Sequence, residues 1–161
     1  MTQHYRAVVI GGGIVGTAIL YHLAKYGWTD VALIERAELT AGSTWHAAAG
    51  FHVLNDNPNV AALQNYTINL YKEIEAESGQ SVGMHMMGGM SLATTPARFE
   101  MLKAEKSRFD VMGMDTRIIG PDEIRALCPI VDTTGVIGAL YDHQEGYVDP
   151  HGTTHAFAIA A

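Results

Sequence analysis

Three glycines near the start of the chain, Gly11, Gly13 and Gly16, have the spacing G-x-G-x-x-G. In such a motif the first glycine permits a tight turn, the second lets a pyrophosphate approach the backbone, and the third lets a helix pack closely on a strand. The amino end of that helix offers unpaired N–H groups and a partial positive charge of about half a unit. The spacing therefore predicts a site for the pyrophosphate of a dinucleotide. The alternative is a glycine-rich packing turn that binds nothing.

Glu35 is the acidic residue that a dinucleotide site needs at the end of the following strand. Its carboxylate can accept hydrogen bonds from ribose hydroxyl groups, and it would repel a 2′-phosphate, which disfavours NADP. The adjacent Arg36 acts in the opposite direction because its cation would attract that phosphate. The motif itself leaves NAD and FAD as alternatives.

The elements that must position these residues are predicted by hydrophobic patterns. Residues 7–10 and 31–34 are short apolar strands, and residues 14–26 form the helix between them. A crossover of that length makes the two strands parallel neighbours. The run 7–24 carries no formal charge, which also fits a signal peptide or membrane span, but the glycines inside it favour a buried strand and helix.

The rest of the chain predicts a mixture of helices and strands. Helices are expected over 58–78, 96–113, 121–128 and 150–161, strands over 91–94, 115–119 and 136–141, and an irregular stretch over 81–90. One face of the 58–78 helix carries Leu63, Thr67, Leu70, Tyr71 and Ile74. The fold class is therefore α/β, a Rossmann-like βαβ unit followed by the start of an α+β segment. Because two strands make an incomplete parallel sheet, we expect these residues to be the N-terminal part of a longer protein.

Composition limits the class of protein. The 161 residues are 48% hydrophobic and 17% charged, which is enough apolar material for a buried core. The formal charge of −7 argues against nucleic acid or an anionic membrane as the main partner. Cys128 is the only cysteine, so an internal disulfide and a zinc-thiolate cluster are both excluded.

A stretch of small and hydroxylated residues follows the second strand, over residues 39–50. Such a stretch suits a loop that lies close to a flat ligand, and Ser43 and Thr44 can satisfy phosphate or ring acceptors. His46 lies in the same stretch. On its own, a single histidine there is most often an ordinary surface residue.

These motifs together resemble the flavin domain of dimethylglycine and sarcosine dehydrogenases, members of the wider D-amino-acid-oxidase-like FAD oxidoreductases. The resemblance rests on the glycine motif, Glu35-Arg36, and the string Gly42-Ser43-Thr44-Trp45-His46. It continues near the other end of the chain in Gly146-Tyr147-Val148-Asp149-Pro150-His151-Gly152. The Gly-Ser-Thr-Trp-His string is the most specific part.

The resemblance implies FAD as cofactor, joined covalently through its 8α carbon to the histidine after the tryptophan, which is His46. A neutral imidazole nitrogen is a competent nucleophile for that bond. The resemblance also implies that residues 1–50 begin the FAD-binding domain, that 51–148 belong to a substrate domain, and that 149–161 form a truncated helix returning to the FAD domain. The predicted cofactor-binding residues are Gly11, Gly13, Ile14, Val15, Gly16, Glu35, Arg36, Gly42, Ser43, Thr44, His46, Ala47 and Gly50.

The reaction that the resemblance implies is oxidative N-demethylation of a small N-methylated glycine. A hydride equivalent passes from the N-methyl carbon of the neutral amine to the flavin, and water releases formaldehyde from the resulting iminium. In the family, tetrahydrofolate can capture the one-carbon unit in a separate C-terminal region that this sequence does not contain. The alternatives are another FAD amine or D-amino-acid oxidase, a non-catalytic regulatory relative, and a fragment without activity of its own.

The remaining groups of histidine, methionine and cysteine residues predict no catalytic residue. The sequence identifies no catalytic base, electron acceptor or substrate-binding arginine, and we expect a cytoplasmic location without a targeting segment. His151 and His155 share a helix face, but capping or solvation is favoured over a metal site. The methionines at 84–90 favour loop packing over a ligand pocket, and Cys128 is expected to be a buried thiol.

Overall fold

The computed structural model describes residues 4–161, which form five helices and eight strands in this part of the chain. The helices are α1 Ile14–Lys25, α2 Pro58–Ser78, α3 Pro96–Val111, α4 Pro121–Leu127 and α5 Pro150–Ala160. The strands are β1 Ala7–Ile10, β2 Val31–Ile34, β3 Gly50–Phe51, β4 His85–Met86, β5 Gly89–Ala93, β6 Thr116–Ile119, β7 Gly138–Asp142 and β8 Gly146–Tyr147. A short 3₁₀ helix spans Ser43–His46.

The first βαβ unit forms as the sequence predicts. Strands β1 and β2 are parallel, with Ala7 opposite Val31 and Ile10 opposite Ile34. Helix α1 ends where Gly27 takes a φ of +82° and donates its N–H to the Ala24 carbonyl oxygen over 2.8 Å. Glycine adopts that left-handed conformation without a steric penalty, so the chain can leave the helix and enter β2.

Within the described range, one compact unit comprises residues 4–51, 66–85 and 147–161. Its core joins α1, α2 and α5 through Tyr21, Ile74 and Phe157, all of which are buried. Tyr21 and Phe157 meet edge to face with ring centroids 5.5 Å apart. This core fixes helix α5 against helix α1, beside the glycine-rich turn.

The other compact unit comprises residues 52–65 and 86–146. Its antiparallel sheet has the order β5-β7-β6, with Leu140 opposite both Ser91 and Ile118. Helix α3 supplies Leu102 and Phe109 to a cluster with Leu140. The Thr95 hydroxyl accepts the Arg98 N–H over 3.2 Å and so caps the start of that helix.

Three details of the sequence prediction differ from the structure. Cys128, expected to be a buried thiol, is only partly buried. The stretch 81–90 is not wholly irregular, because it contains β4 and the first residues of β5. Leu63 shares its predicted helix face with Leu70 and Ile74, yet it is 63% exposed, whereas those two residues are buried. Helix α2 passes from one compact unit to the other between Asn65 and Tyr66, so one periodic face does not face one core along its whole length.

The fold class is confirmed as mixed helix and sheet with a βαβ unit at the start. The assignment of the segments 1–50, 51–148 and 149–161 to FAD and substrate domains stays a prediction. No helix in the described range 4–161 is long and apolar enough to cross a membrane.

Candidate functional site

The glycine-rich turn between β1 and α1 has the tight geometry that the motif predicts. Gly11 has a φ of +111°, which side chains rarely tolerate. A Cβ atom at Gly16 would overlap the Gly11 carbonyl oxygen, so only glycine lets α1 pack this closely on the turn. A Cβ atom at Gly13 would lie 2.8 Å from the Thr44 hydroxyl oxygen. The roles of Gly11 and Gly16 therefore follow from backbone shape and steric contact.

The amino end of α1 presents unpaired N–H groups. Within residues 4–161, the N–H groups of Gly13, Val15 and Gly16 have no hydrogen-bond partner. The Ile14 N–H is different, because it donates to the Thr44 hydroxyl oxygen over 3.0 Å. Three free donors at a helix amino end form a cradle for an anion such as a diphosphate.

Thr44 is a helix-capping residue in this structure as well as a predicted ligand contact. Its side chain is buried, and its oxygen accepts the Ile14 N–H. The hydroxyl hydrogen is still available to donate to a phosphate oxygen. The Thr44–Ile14 bond also attaches the 3₁₀ helix Ser43–His46 to the amino end of α1.

Glu35 holds the glycine-rich turn through its carboxylate. One oxygen accepts the Gly12 N–H over 2.6 Å, and the other accepts the Ala37 N–H over 3.0 Å. The hydrogen bond from Gly12, followed by that from Ala37, keeps the pKa of the Glu35 carboxyl below its usual value of 4.5. Each oxygen keeps a second lone pair, so the ionised carboxylate can also accept ribose hydroxyl groups.

Gly12 and Thr40 are two residues of the site that sequence reasoning missed. A Cβ atom at Gly12 would lie 2.6 Å from Leu39 Cδ2 and 3.0 Å from Glu35 Cβ. The run of three consecutive glycines was the available signal for Gly12. Thr40 is buried and donates its N–H to the Gly12 carbonyl oxygen over 3.0 Å, a contact that no local pattern indicates.

The other predicted contacts lie on the surface around the 3₁₀ helix. Trp45 is 66% exposed, and the imidazole of His46 makes no hydrogen bond within the described structure. The structure thus brings the 3₁₀ helix and the glycine-rich turn together through Thr44. The exposed predicted residues are Val15, Arg36, Gly42, Ser43, His46, Ala47 and Gly50.

The histidines of α5 are not simply solvated or capping residues. The Nδ1 atom of His151 lies 3.1 Å from the Thr40 hydroxyl oxygen, and the rings of His151 and His155 are 4.1 Å apart. The described residues contain no group of three or more histidine, cysteine, aspartate or glutamate side chains that could hold a metal ion.

The residues present fit a dinucleotide. Free N–H groups at the start of α1 suit the diphosphate, the Glu35 carboxylate suits a ribose, and the glycines leave room for both. The sequence profile of the FAD dependent oxidoreductase family matches residues 6–161. The chain belongs to this family. The glycine motif left NAD and FAD as alternatives. The family match identifies FAD as the cofactor of this class of protein.

Two curated relatives are similar to this chain over nearly its whole length. It is 41% identical over 154 residues to the mitochondrial dimethylglycine dehydrogenase of Mus musculus, covering 96% of this chain and 18% of the relative. It is 35% identical over 156 residues to the mitochondrial pyruvate dehydrogenase phosphatase regulatory subunit of Mus musculus, covering 97% of this chain and 18% of the relative. The chain thus spans less than a fifth of the length of these curated relatives.

A solved structure supports the fold. The crystal structure of L-proline dehydrogenase from P. horikoshii superimposes with a TM-score of 0.88 at 29% sequence identity. The match covers 99% of this chain and 42% of that structure. The fold of that L-proline dehydrogenase is therefore shared over nearly the whole of this chain.

Proposed function

We propose that this chain is part of an enzyme that demethylates a small N-methylated glycine oxidatively, with dimethylglycine or sarcosine as substrate. The observation that carries the proposal is the string Gly42-Ser43-Thr44-Trp45-His46, anchored to the amino end of α1 by the Thr44–Ile14 hydrogen bond. The 41% identity to a dimethylglycine dehydrogenase supports the same substrate class.

Residues of the glycine-rich turn, the amino end of α1 and the end of β2 would hold FAD. The N–H groups of Gly13, Val15 and Gly16 bind the diphosphate, and the Glu35 carboxylate accepts hydrogen bonds from the ribose of the adenosine. When bound, FAD supplies a two-electron acceptor for the hydride from the N-methyl carbon. The residues of this chain bind and orient that acceptor.

His46 is proposed as the covalent attachment residue of the FAD. Its imidazole is exposed and makes no hydrogen bond in the described range, so a ring nitrogen is free to act as a nucleophile. Covalent attachment would hold the cofactor in place. We also propose that tetrahydrofolate captures the one-carbon unit in a separate C-terminal region. A cytoplasmic location is proposed as well.

The arginines of the second compact unit are already engaged. Arg98 pairs with Glu105 at 3.1 Å and Arg108 pairs with Asp56 at 2.9 Å. Arg117 pairs with Glu123 at 2.9 Å, and Arg125 bonds to the Thr133 hydroxyl. We therefore assign none of these arginines to the substrate carboxylate.

Steady-state turnover of the full-length protein tests the proposed reaction. We expect bound flavin and formaldehyde release with dimethylglycine or sarcosine, and no turnover of glycine betaine, which lacks a neutral amine. Flavin without turnover of either N-methylated substrate would favour another FAD amine oxidase or a regulatory role. The 35% identity to a phosphatase regulatory subunit makes the latter the second candidate.

Acid denaturation tests the covalent bond separately. We expect the full-length protein to keep its yellow chromophore after precipitation, and the His46→Ala variant to release it as free FAD. The matched control is His52→Ala, because His52 is a nearby exposed histidine outside the 3₁₀ helix. Release of free flavin from the unmodified protein would contradict the attachment.

A further inference from the structure

The segment that carries His46 is bounded by two residues in left-handed backbone conformations. Thr40 has a φ of +71° and Ala49 a φ of +54°, and no other non-glycine residue in the described range has a positive φ. A β-branched residue such as threonine is a conformational outlier there. Such conformations persist only where surrounding contacts hold them, and they concentrate at ligand sites.

Backbone hydrogen bonds of Thr40 connect two parts of the site. Its N–H donates to the Gly12 carbonyl oxygen over 3.0 Å, within the glycine-rich turn. Its own carbonyl oxygen accepts the Trp45 N–H over 3.2 Å, within the 3₁₀ helix. In its left-handed conformation, Thr40 thus directs its N–H to the glycine-rich turn and its carbonyl oxygen to Trp45, the residue before His46.

The side chain of Thr40 is anchored on a third segment. Its hydroxyl oxygen lies 3.1 Å from Nδ1 of His151, in the first turn of α5, and Thr40 is 4% exposed. The start of α5 is itself fixed, because the Asp149 carboxylate accepts the His151 and Gly152 N–H groups. A buried hydroxyl that lost its partner would be costly, so this contact restrains Thr40.

We propose that Thr40, held by His151, is a positioning residue. It fixes the glycine-rich turn relative to the segment between Thr40 and Ala49 that carries His46. The inference rests on the proposed attachment at His46 and extends it. FAD affinity depends on this arrangement through Gly12, and the rate of covalent attachment depends on it through Trp45. Thr40 itself need not touch the cofactor.

The test uses the full-length protein in two backgrounds. In the His46→Ala background, the dissociation constant of FAD is measured by titration of the apoprotein. With His46 present, the rate of covalent attachment is measured after FAD is added to the apoprotein. We expect Thr40→Val, which keeps the branched shape and removes the hydroxyl, to weaken FAD binding about fivefold and slow attachment by a larger factor.

Three further variants separate positioning from general stability. Thr40→Ser keeps the hydroxyl and should restore both values to within about twofold of wild type. His151→Ala should reproduce Thr40→Val, and the double variant should be no worse than either single variant, because one contact is removed in each. Thr154→Val is the matched control, since its buried hydroxyl bonds only to the Pro150 carbonyl oxygen, at 2.8 Å.

The results discriminate between the two proposals. Wild-type protein that takes up no flavin would contradict the proposed function before any variant is compared. Wild-type flavinylation with unchanged rates and affinities in Thr40→Val would contradict the role of Thr40 alone. Equal losses in Thr40→Val and Thr154→Val would also contradict it, because they would indicate general destabilisation. If Thr40→Val does not fold, the FAD dissociation constant and the attachment rate of His151→Ala are compared with those of Thr154→Val instead.

Discussion

At the scale of single residues, Glu35 acts in both the protein fold and the proposed cofactor site. Its two carboxylate oxygens accept backbone N–H groups from Gly12 and Ala37. The ionised carboxylate accepts these N–H groups more strongly than the protonated form and still has lone pairs for ribose hydroxyl groups. The shape of the glycine-rich turn therefore depends on the charge state of one side chain.

The pH dependence of thermal stability follows in part from this contact. Hydrogen bonding to Gly12 lowers the pKa of Glu35 in the folded state, so its stabilising effect is present above the usual value of 4.5. It is lost as the pH falls below that value and through the folded-state pKa. We expect Glu35→Gln to melt at a lower temperature than wild type at neutral pH, and the difference to shrink in acid.

Thermal unfolding of the full-length protein between pH 3 and pH 7 measures this effect. Asp132→Asn serves as the control, because Asp132 also has a lowered pKa, chiefly from the Thr134 N–H, but lies in the other compact unit. Like Glu35→Gln, it should melt below wild type at neutral pH and converge with wild type in acid, but without a change in FAD binding at neutral pH. Parallel pH profiles for wild type and Glu35→Gln would contradict the role of Glu35.

At the scale of elements, helix termini determine where the segments of the site lie. Asp149 caps α5 by accepting the His151 N–H at 3.2 Å and the Gly152 N–H at 2.8 Å. Thr95 caps α3 in the other compact unit. Aspartate and threonine both favour this position because a short side-chain oxygen satisfies N–H groups that the helix leaves unpaired.

Removal of the two caps should have different consequences. Asp149→Ala and Thr95→Ala should each lower the free energy of unfolding by about 1 kcal/mol. Only Asp149→Ala should also slow flavin attachment, because His151 contacts Thr40 from the same turn. Urea unfolding and the rate of FAD incorporation measure the two effects. Slower attachment in Thr95→Ala as well would indicate a global cause.

At the scale of the whole molecule, each compact unit has its own apolar core. Ile74 lies in the cluster that also contains Tyr21 of α1 and Phe157 of α5. Leu102 lies with Phe109 and Leu140 in the other unit. Both Ile74 and Leu102 are fully buried, so truncation removes contacts and leaves a cavity in each case.

Core truncations should therefore separate stability from cofactor binding. We expect Ile74→Ala and Leu102→Ala each to cost about 2–5 kcal/mol of unfolding free energy. Ile74→Ala should also weaken non-covalent FAD binding in the His46→Ala background, because its cluster supports α1. Leu102→Ala should leave that affinity within about threefold of the parent. Equal losses of affinity would show that the two cores do not act separately.

Much of the fold is encoded in short windows of the sequence. The glycine spacing, the strand before it and the helix after it depend on neighbouring residues and on backbone conformations that glycine alone allows. The caps at Thr95 and Asp149 are likewise local, because an oxygen at the helix start meets N–H groups two or three residues later. The glycine-rich turn and the βαβ unit were predicted correctly for that reason. The face of α2 was not, because the partner of Leu63 depends on which unit surrounds it.

The sequence by itself determined that the chain begins with a βαβ unit able to bind a dinucleotide, and its motifs indicated FAD. Only the tertiary structure decided which residues hold the site together. Thr44 meets Ile14 across 30 residues, and Thr40 meets His151 across 111 residues. No local pattern specifies such contacts, because they arise when the packing of α1 against α5 brings distant segments together. Local sequence therefore fixes the elements, and packing fixes the arrangement of the side chains that serve the cofactor.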